Sequence, residues 1–118
     1  RMPTSDTTTT TDANSPSSRA LAVDSESITT DLQLLSAVSN DTRYELLRRI
    51  AATADGVCVC ELEASVGVSQ SAVSQALSRL YTTGLVSRRK EGSWRYYEST
   101  EAAETLIATL DDLRGHNE

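Results

Sequence analysis

The chain has 118 residues, room for one domain with one modest core. Its formal charge of −6, taken as a total, argues against a nucleic-acid partner, and no run approaches the roughly 20 apolar residues of a membrane helix. There is no Gly-rich phosphate loop and no nucleophile–base pair supported by spacing, and His116 is the one histidine, so the chain does not read as an enzyme.

Residues 1–26 are rich in Thr, Ser and Asp and poor in large apolar side chains. Such a stretch cannot bury enough surface to offset its ordering entropy, so a disordered tail is expected there, ahead of a domain over 27–115. It holds no continuous apolar run of a secretory signal, and the expectation is a soluble, cytoplasmic protein with no membrane partner. Ile28, Leu32, Leu35 and Val38 recur at three- and four-residue steps, which predicts a first helix over about 27–39. Asn40 and Asp41 offer caps for a second helix, with Tyr44, Leu47 and Ile50 on its apolar face and Leu46 alongside. Arg48 and Arg49 lie near its end, where cations suit the helix dipole. After the turn signal Asp55-Gly56, a short third helix fits from about Cys58 to Val66, broken by Gly67. Ser69 is an N-cap candidate for a fourth helix over 70–82, with Val73, Ala76, Leu77 and Leu80 as its buried stripe and Gly84 just past its end. Leu85–Lys90 and Trp94–Glu98 are β-prone runs joined by Glu91-Gly92-Ser93, which predicts a hairpin. Ala102, Ala103, Leu106, Ile107, Leu110 and Leu113 trace a last helix over about 100–114.

The expected order is therefore α-α-α-α-β-β-α, a mainly α chain with a β-hairpin (α+β). Helices three and four, joined tightly across Gly67-Val68, form a helix-turn-helix pair, and the hairpin is a wing. The first and last helices carry apolar faces that one small domain does not easily cover, so a homodimer joined through them is expected.

The charge distribution qualifies the charge total. From Ser69 to Tyr97, Arg79, Arg88, Arg89, Lys90 and Arg95 face only Glu91, which makes the segment +4 and leaves −10 elsewhere. A local basic stripe on an acidic protein still meets phosphate, which points to double-stranded DNA as a partner. A recognition helix needs short polar side chains near its N-terminus, and Ser69, Gln70, Ser71, Ser74 and Gln75 supply them. Gln75 suits adenine, Gln70 suits adenine or the backbone, and the Ser hydroxyls and Arg79 suit phosphate. Arg88, Arg89, Lys90 and Arg95 bring the wing against the backbone or into a minor groove. Any one of the Ser and Gln residues alone reads as a solvated helix face; the group, beside a basic hairpin, reads as a DNA surface. Trp94 and Tyr96 are expected to pack the wing, and both a packing and a contact role stay open for Tyr97.

Three segments now carry a family resemblance: Leu35–Leu47, Val57-Cys58-Val59-Cys60-Glu61-Leu62, and Val68–Leu77. In this order they resemble the ArsR/SmtB family of metal-responsive repressors, over about Leu32 to Leu113. The resemblance implies a winged-helix repressor and reads the segment holding Cys58 and Cys60 as a metal box. The acid-rich composition, with ten Arg to one Lys, resembles that of proteins from salt-loving archaea. At high salt, counterion release contributes little to DNA binding.

Cys58 and Cys60 sit where helix three should begin, and helix N-termini favour thiolates. Thiolates select soft ions: trivalent arsenic or antimony first, or another thiophilic ion such as cadmium, lead, zinc or copper(I). Positions i and i+2 of a regular helix point about 200° apart, so one ion grips both sulfurs only if the helix start unwinds. That distortion would reach the recognition helix and release the operator. The resemblance adds that some arsenic sensors carry a third Cys where this chain has Glu63, which leaves the third ligand open to an external thiol, water or another side chain. Cadmium and lead sensors of the family add an N-terminal Cys that is absent here, and the paired-His zinc site of the last helix is reduced to Asp111, Asp112 and His116. Other readings remain: two small buried apolar residues, a redox switch, a regulator with a non-metal effector, or a winged helix that contacts protein.

Overall fold

The structure is a computed structural model that describes residues 21–116. The chain divides into two units, Arg1–Asp31 and Leu32–Glu118. The tail expected over 1–26 therefore lies, up to position 20, outside the described residues.

The first helix, α1 (Ser25–Val38), starts two residues before the expected position and ends one before it. The Asp24 carboxylate accepts from Ser27 Oγ at 2.7 Å and from the Ser27 amide at 3.3 Å, which caps an otherwise open N-terminus. The hydroxyl of Ser27 also holds the Asp24 carboxyl below its ordinary range. The predicted stripe of Ile28, Leu32 and Leu35 is exposed, and Ala37 is the buried residue.

Asn40 caps the second helix, α2 (Asp41–Ala51), by accepting from the Arg43 amide at 3.0 Å. The Arg43 guanidinium turns back and donates to the carbonyls of Ala37 (2.6 Å) and Ser36 (3.0 Å), satisfying acceptors that the end of α1 leaves open. Leu46, Leu47 and Ile50 of α2 are fully buried. They pack in one core with Val73, Ala76, Leu77 and Leu80 of the recognition helix, α4 (Gln70–Thr82), the four residues its periodicity predicts.

Between these helices the chain forms a strand the sequence reading lacks, β1 (Val57–Cys58), followed by α3 (Val59–Ser65). The wing strands are β2 (Val86–Glu91) and β3 (Trp94–Ser99), and the sheet order is β1-β3-β2, all antiparallel. From Ser25 onward the element order among the described residues is thus α-α-β-α-α-β-β-α, a winged helix with one more strand than expected. A two-residue strand has no periodicity to read; it exists because Val57 and Cys58 meet Tyr97 and Tyr96 across space. Tyr97 is buried and joins the core, whereas Trp94, expected to pack the wing, is exposed.

Thr100 closes the wing onto the last helix, α5 (Glu101–His116). Its hydroxyl donates to the Gly84 carbonyl at 2.7 Å and accepts from the Ala103 amide at 3.3 Å. Ala103 is buried, Leu106 and Ile107 are partly buried against the core, and Leu113 is exposed. Arg48 ties α2 to α5 through Asp111 at 2.9 Å.

The turn that launches β1 requires glycine. Gly56 has φ +91°, and a Cβ there would lie 2.8 Å from Glu98 Cγ and 3.2 Å from the Tyr97 carbonyl oxygen. Gly56→Ala should therefore cost about 1–3 kcal/mol in urea unfolding. Gly67→Ala, where nothing stands within 4 Å and no positive φ is needed, should change stability far less. Equal losses at both positions would contradict this account of the turn.

Candidate nucleic-acid interface and thiol pair

The helix-turn-helix presents its polar face as the stripe pattern requires. Val73, Ala76, Leu77 and Leu80 turn inward, so Gln70, Ser71, Ser74 and Gln75 are exposed near the N-terminus of α4. Ser69 is the N-cap and its Oγ accepts from the Ala72 amide at 3.1 Å; the same hydroxyl keeps its O–H to donate. Gln70, Ser71, Ser74 and Gln75 line one groove with Glu63, Arg95 and Tyr97, so the fold brings a wing cation beside the recognition helix. Gln75 also borders a second groove, shared with Arg43, Ser78 and Arg79. Arg79 itself donates to Ser36 Oγ at 3.0 Å, a contact with α1 that sequence spacing does not reveal.

The pleat divides the wing cations. Cross-strand partners share a face and alternate residues change faces. The pairs Arg88–Tyr97 and Lys90–Arg95 therefore fall on the face of the buried Tyr97, and Arg89–Tyr96 and Glu91–Trp94 on the other. Arg88 lies 4.0 Å from the centre of the Tyr81 ring, stacked at the end of α4. Lys90 and Arg95 stand directly opposite each other, and like charges so placed repel unless an anion lies between them. Arg89 is engaged within the protein. It pairs with Glu91 (2.8 Å) and Glu98 (3.3 Å) and donates to the Asp55 carbonyl at 3.2 Å. The Glu91 carboxylate is the main reason its guanidinium is held still more firmly protonated.

The two sulfurs converge. Cys58 is the N-cap of α3, in extended backbone (φ −71°, ψ 143°), so the expected divergence of i and i+2 helix positions does not apply to it. Cys58 Sγ lies 2.6 Å from Cys60 Sγ and accepts from the Cys60 amide at 3.3 Å. Cys58 is buried, Cys60 exposed, and both are free thiols. Glu61 completes the cap: its Oε1 accepts from the Cys58 amide at 3.0 Å. This is a capping box with Cys in the Ser/Thr position, and Cys58-x-x-Glu61 is a signal that the sequence does carry. Among the described residues no three of His, Cys, Asp and Glu gather into a metal-holding group. Asp111, considered for zinc, pairs instead with Arg48 and Arg114.

The Cys60 thiol is raised above its ordinary value. The hydrogen bond to Cys58 Sγ is the largest cause, followed by desolvation and the charges of Cys58 and Glu61, with the Glu61 amide opposing. Because the thiolate is the nucleophile, iodoacetamide should alkylate Cys60 slowly at neutral pH, with the rate rising at higher pH than for a free cysteine. Cys58→Ser should move that profile back down; an unchanged profile would show that Cys58 is not the cause.

A helix-turn-helix with a basic wing and a polar recognition face defines a winged-helix DNA-binding transcriptional regulator. Residues 40–88 match the pattern described as bacterial regulatory protein, arsR family. The chain is 77% identical, over 81% of its own length and 81% of the relative's, to a Halobacterium salinarum protein provisionally named an arsenical resistance operon repressor. It is 30% identical to the arsenical resistance operon repressor of Escherichia coli K12, over 69% of this chain and 68% of the other. Among solved structures it is similar to NolR from Sinorhizobium fredii, with a TM-score of 0.69 and 30% identity over 86% of this chain and 94% of that one. HlyU from Vibrio cholerae is similar too, with a TM-score of 0.68 and 31% identity over 76% of this chain and 97% of that one. The chain belongs to the ArsR family of transcriptional regulators, and is a DNA-binding repressor rather than an enzyme. No helix among the described residues is long and apolar enough to cross a membrane.

Proposed function

We propose that this repressor leaves its operator when trivalent arsenic or antimony binds Cys58 and Cys60. The observation that carries the reading is the convergence of the two sulfurs at the start of α3, the helix that precedes the recognition helix. The names of the arsenical resistance relatives support the choice of ion. Capture would engage the sulfur with which Cys58 accepts from the Cys60 amide, and so would loosen the cap at the start of α3. Losing a cap costs about 1 kcal/mol. A difference of that order between the two states is what an allosteric effector needs.

On the DNA side, Gln70, Ser71, Ser74 and Gln75 read or touch the major groove, while Ser69 and Arg79 meet phosphate. Arg88, Lys90 and Arg95 present the recognition-helix side of the wing to the backbone. Two copies are joined through α1 and α5. Leu35, Val38 and Tyr44 form an apolar groove with Leu110 and Leu113, and two helix-turn-helix units then address two half-sites.

Arsenite should weaken binding to the promoter DNA of its own operon by about 5–150-fold in fluorescence anisotropy at fixed salt. Cys58→Ser/Cys60→Ser should bind the same DNA and ignore arsenite. An equal response from the double variant would sink the metalloid reading, and release by peroxide but not arsenite would replace it with redox control. For the dimer, sedimentation should give two chains for the wild type and one for Leu35→Glu/Leu113→Glu. A dimeric double variant would place the interface elsewhere.

A further inference from the structure

We propose that Arg89 is a positioning residue that couples the thiol pair to the wing, not a phosphate contact. The coupling rests on the effector reading above; the role of Arg89 in DNA binding does not.

The sheet supplies the geometry. Cys58 of β1 pairs with Tyr96 of β3, and Tyr96 pairs with Arg89 of β2, so the three residues form one row across the sheet. The Arg89 guanidinium lies 5.1 Å from the centre of the Tyr96 ring. Each of its three nitrogens is occupied: Nε by Glu91, Nη1 by Glu98, and Nη2 by the Asp55 carbonyl. Asp55 precedes Cys58 by three residues, and Arg89 Nη1 sits 3.3 Å from where a Gly56 Cβ would be. Arg89 is thus a strut from β2 to the turn that enters the thiol site. Two carboxylates beside it repel a phosphate, and its face is opposite that of Lys90 and Arg95. A change in backbone at Cys58 moves the Asp55–Gly56 turn and, through the strut and the strand ladder, the wing. The signal then reaches DNA by a second route besides α3 and α4.

Two measurements on Arg89→Met test this, with thermal melts to establish that the wing stays folded. The first is the salt dependence of DNA binding without arsenite. Removing a phosphate contact lowers the log–log slope by about 0.9. Lys90→Gln should show that drop and Arg89→Met should keep the wild-type slope, even if its affinity falls. The second uses Trp94, the single tryptophan, which faces Glu91 across the wing. Arsenite without DNA should shift wild-type Trp94 emission in step with protection of the thiols from Ellman's reagent. In Arg89→Met the thiols should still be protected while the shift falls by more than half. Arg89→Lys should not restore it, because one ammonium cannot hold three acceptors in the same plane. A slope lowered by about 0.9 in Arg89→Met would make the residue a phosphate contact, and a full emission shift in that variant would overturn the coupling. Absence of thiol protection in the wild type would defeat the metalloid reading and the coupling together, and the salt slope alone would still decide whether Arg89 touches phosphate.

Discussion

The pairing of two residues, Val57 and Cys58, with the middle wing strand is the constraint on which the arrangement depends. It joins the segment before the helix-turn-helix to the hairpin after it, so the recognition helix is held between two ends of one sheet. It also fixes Cys58 in extended backbone at the entrance to α3, where its sulfur caps the helix and meets Cys60. The pairing requires a left-handed turn at Gly56 packed against Glu98 and the Tyr97 carbonyl, a space that a Cβ would fill.

Around that junction the core is ordinary close packing. Leu46, Leu47 and Ile50 of α2 meet the inward stripe of α4, and Ala37, Val57, Leu62, Leu85, Val86, Tyr97 and Ala103 complete it. Polar groups then set the entries and exits of the helices. Arg43 satisfies the end of α1, Thr100 joins the wing to α5, and Arg48 joins α2 to α5. What the core leaves uncovered is an apolar groove along α1 and α5, where Leu35 and Leu113 stay exposed in the single chain.

The electrostatics of this acidic protein are decided by strand alternation more than by total charge. Five cations between Ser69 and Tyr97 outweigh one carboxylate, yet the pleat gives them different partners. Lys90 and Arg95 are set against each other on the recognition-helix side, Arg88 is stacked on Tyr81, and Arg89 is enclosed by Glu91 and Glu98. Glu98 lies just beyond the segment with the single carboxylate, and it pairs with Arg89 from the neighbouring strand. A basic run in a strand therefore divides between two faces, so its charge is not a single patch.

Periodicity and capping chemistry are local, and what depends on them was legible in the sequence: the helices, the stripe Val73-Ala76-Leu77-Leu80, the Ser69 cap, the wing turn at Gly92 and the outward polar face of α4. Even the cap at Cys58 was written there, as a Cys-x-x-Glu variant of a familiar box. Tertiary structure alone decided the rest. The strand Val57–Cys58 exists only against β3, Tyr97 is core and Trp94 surface because of the sheet's packing, and Arg79 and Arg89 find partners 43 and 34 residues away. The sulfurs converge because Cys58 stands outside the helix as its N-cap, a place that the local Cys-x-x-Glu spacing allows and the strand pairing with Tyr96 fixes. Local sequence determines which side chains an element can present; only contacts distant along the chain determine where each element begins and which partner each charge meets.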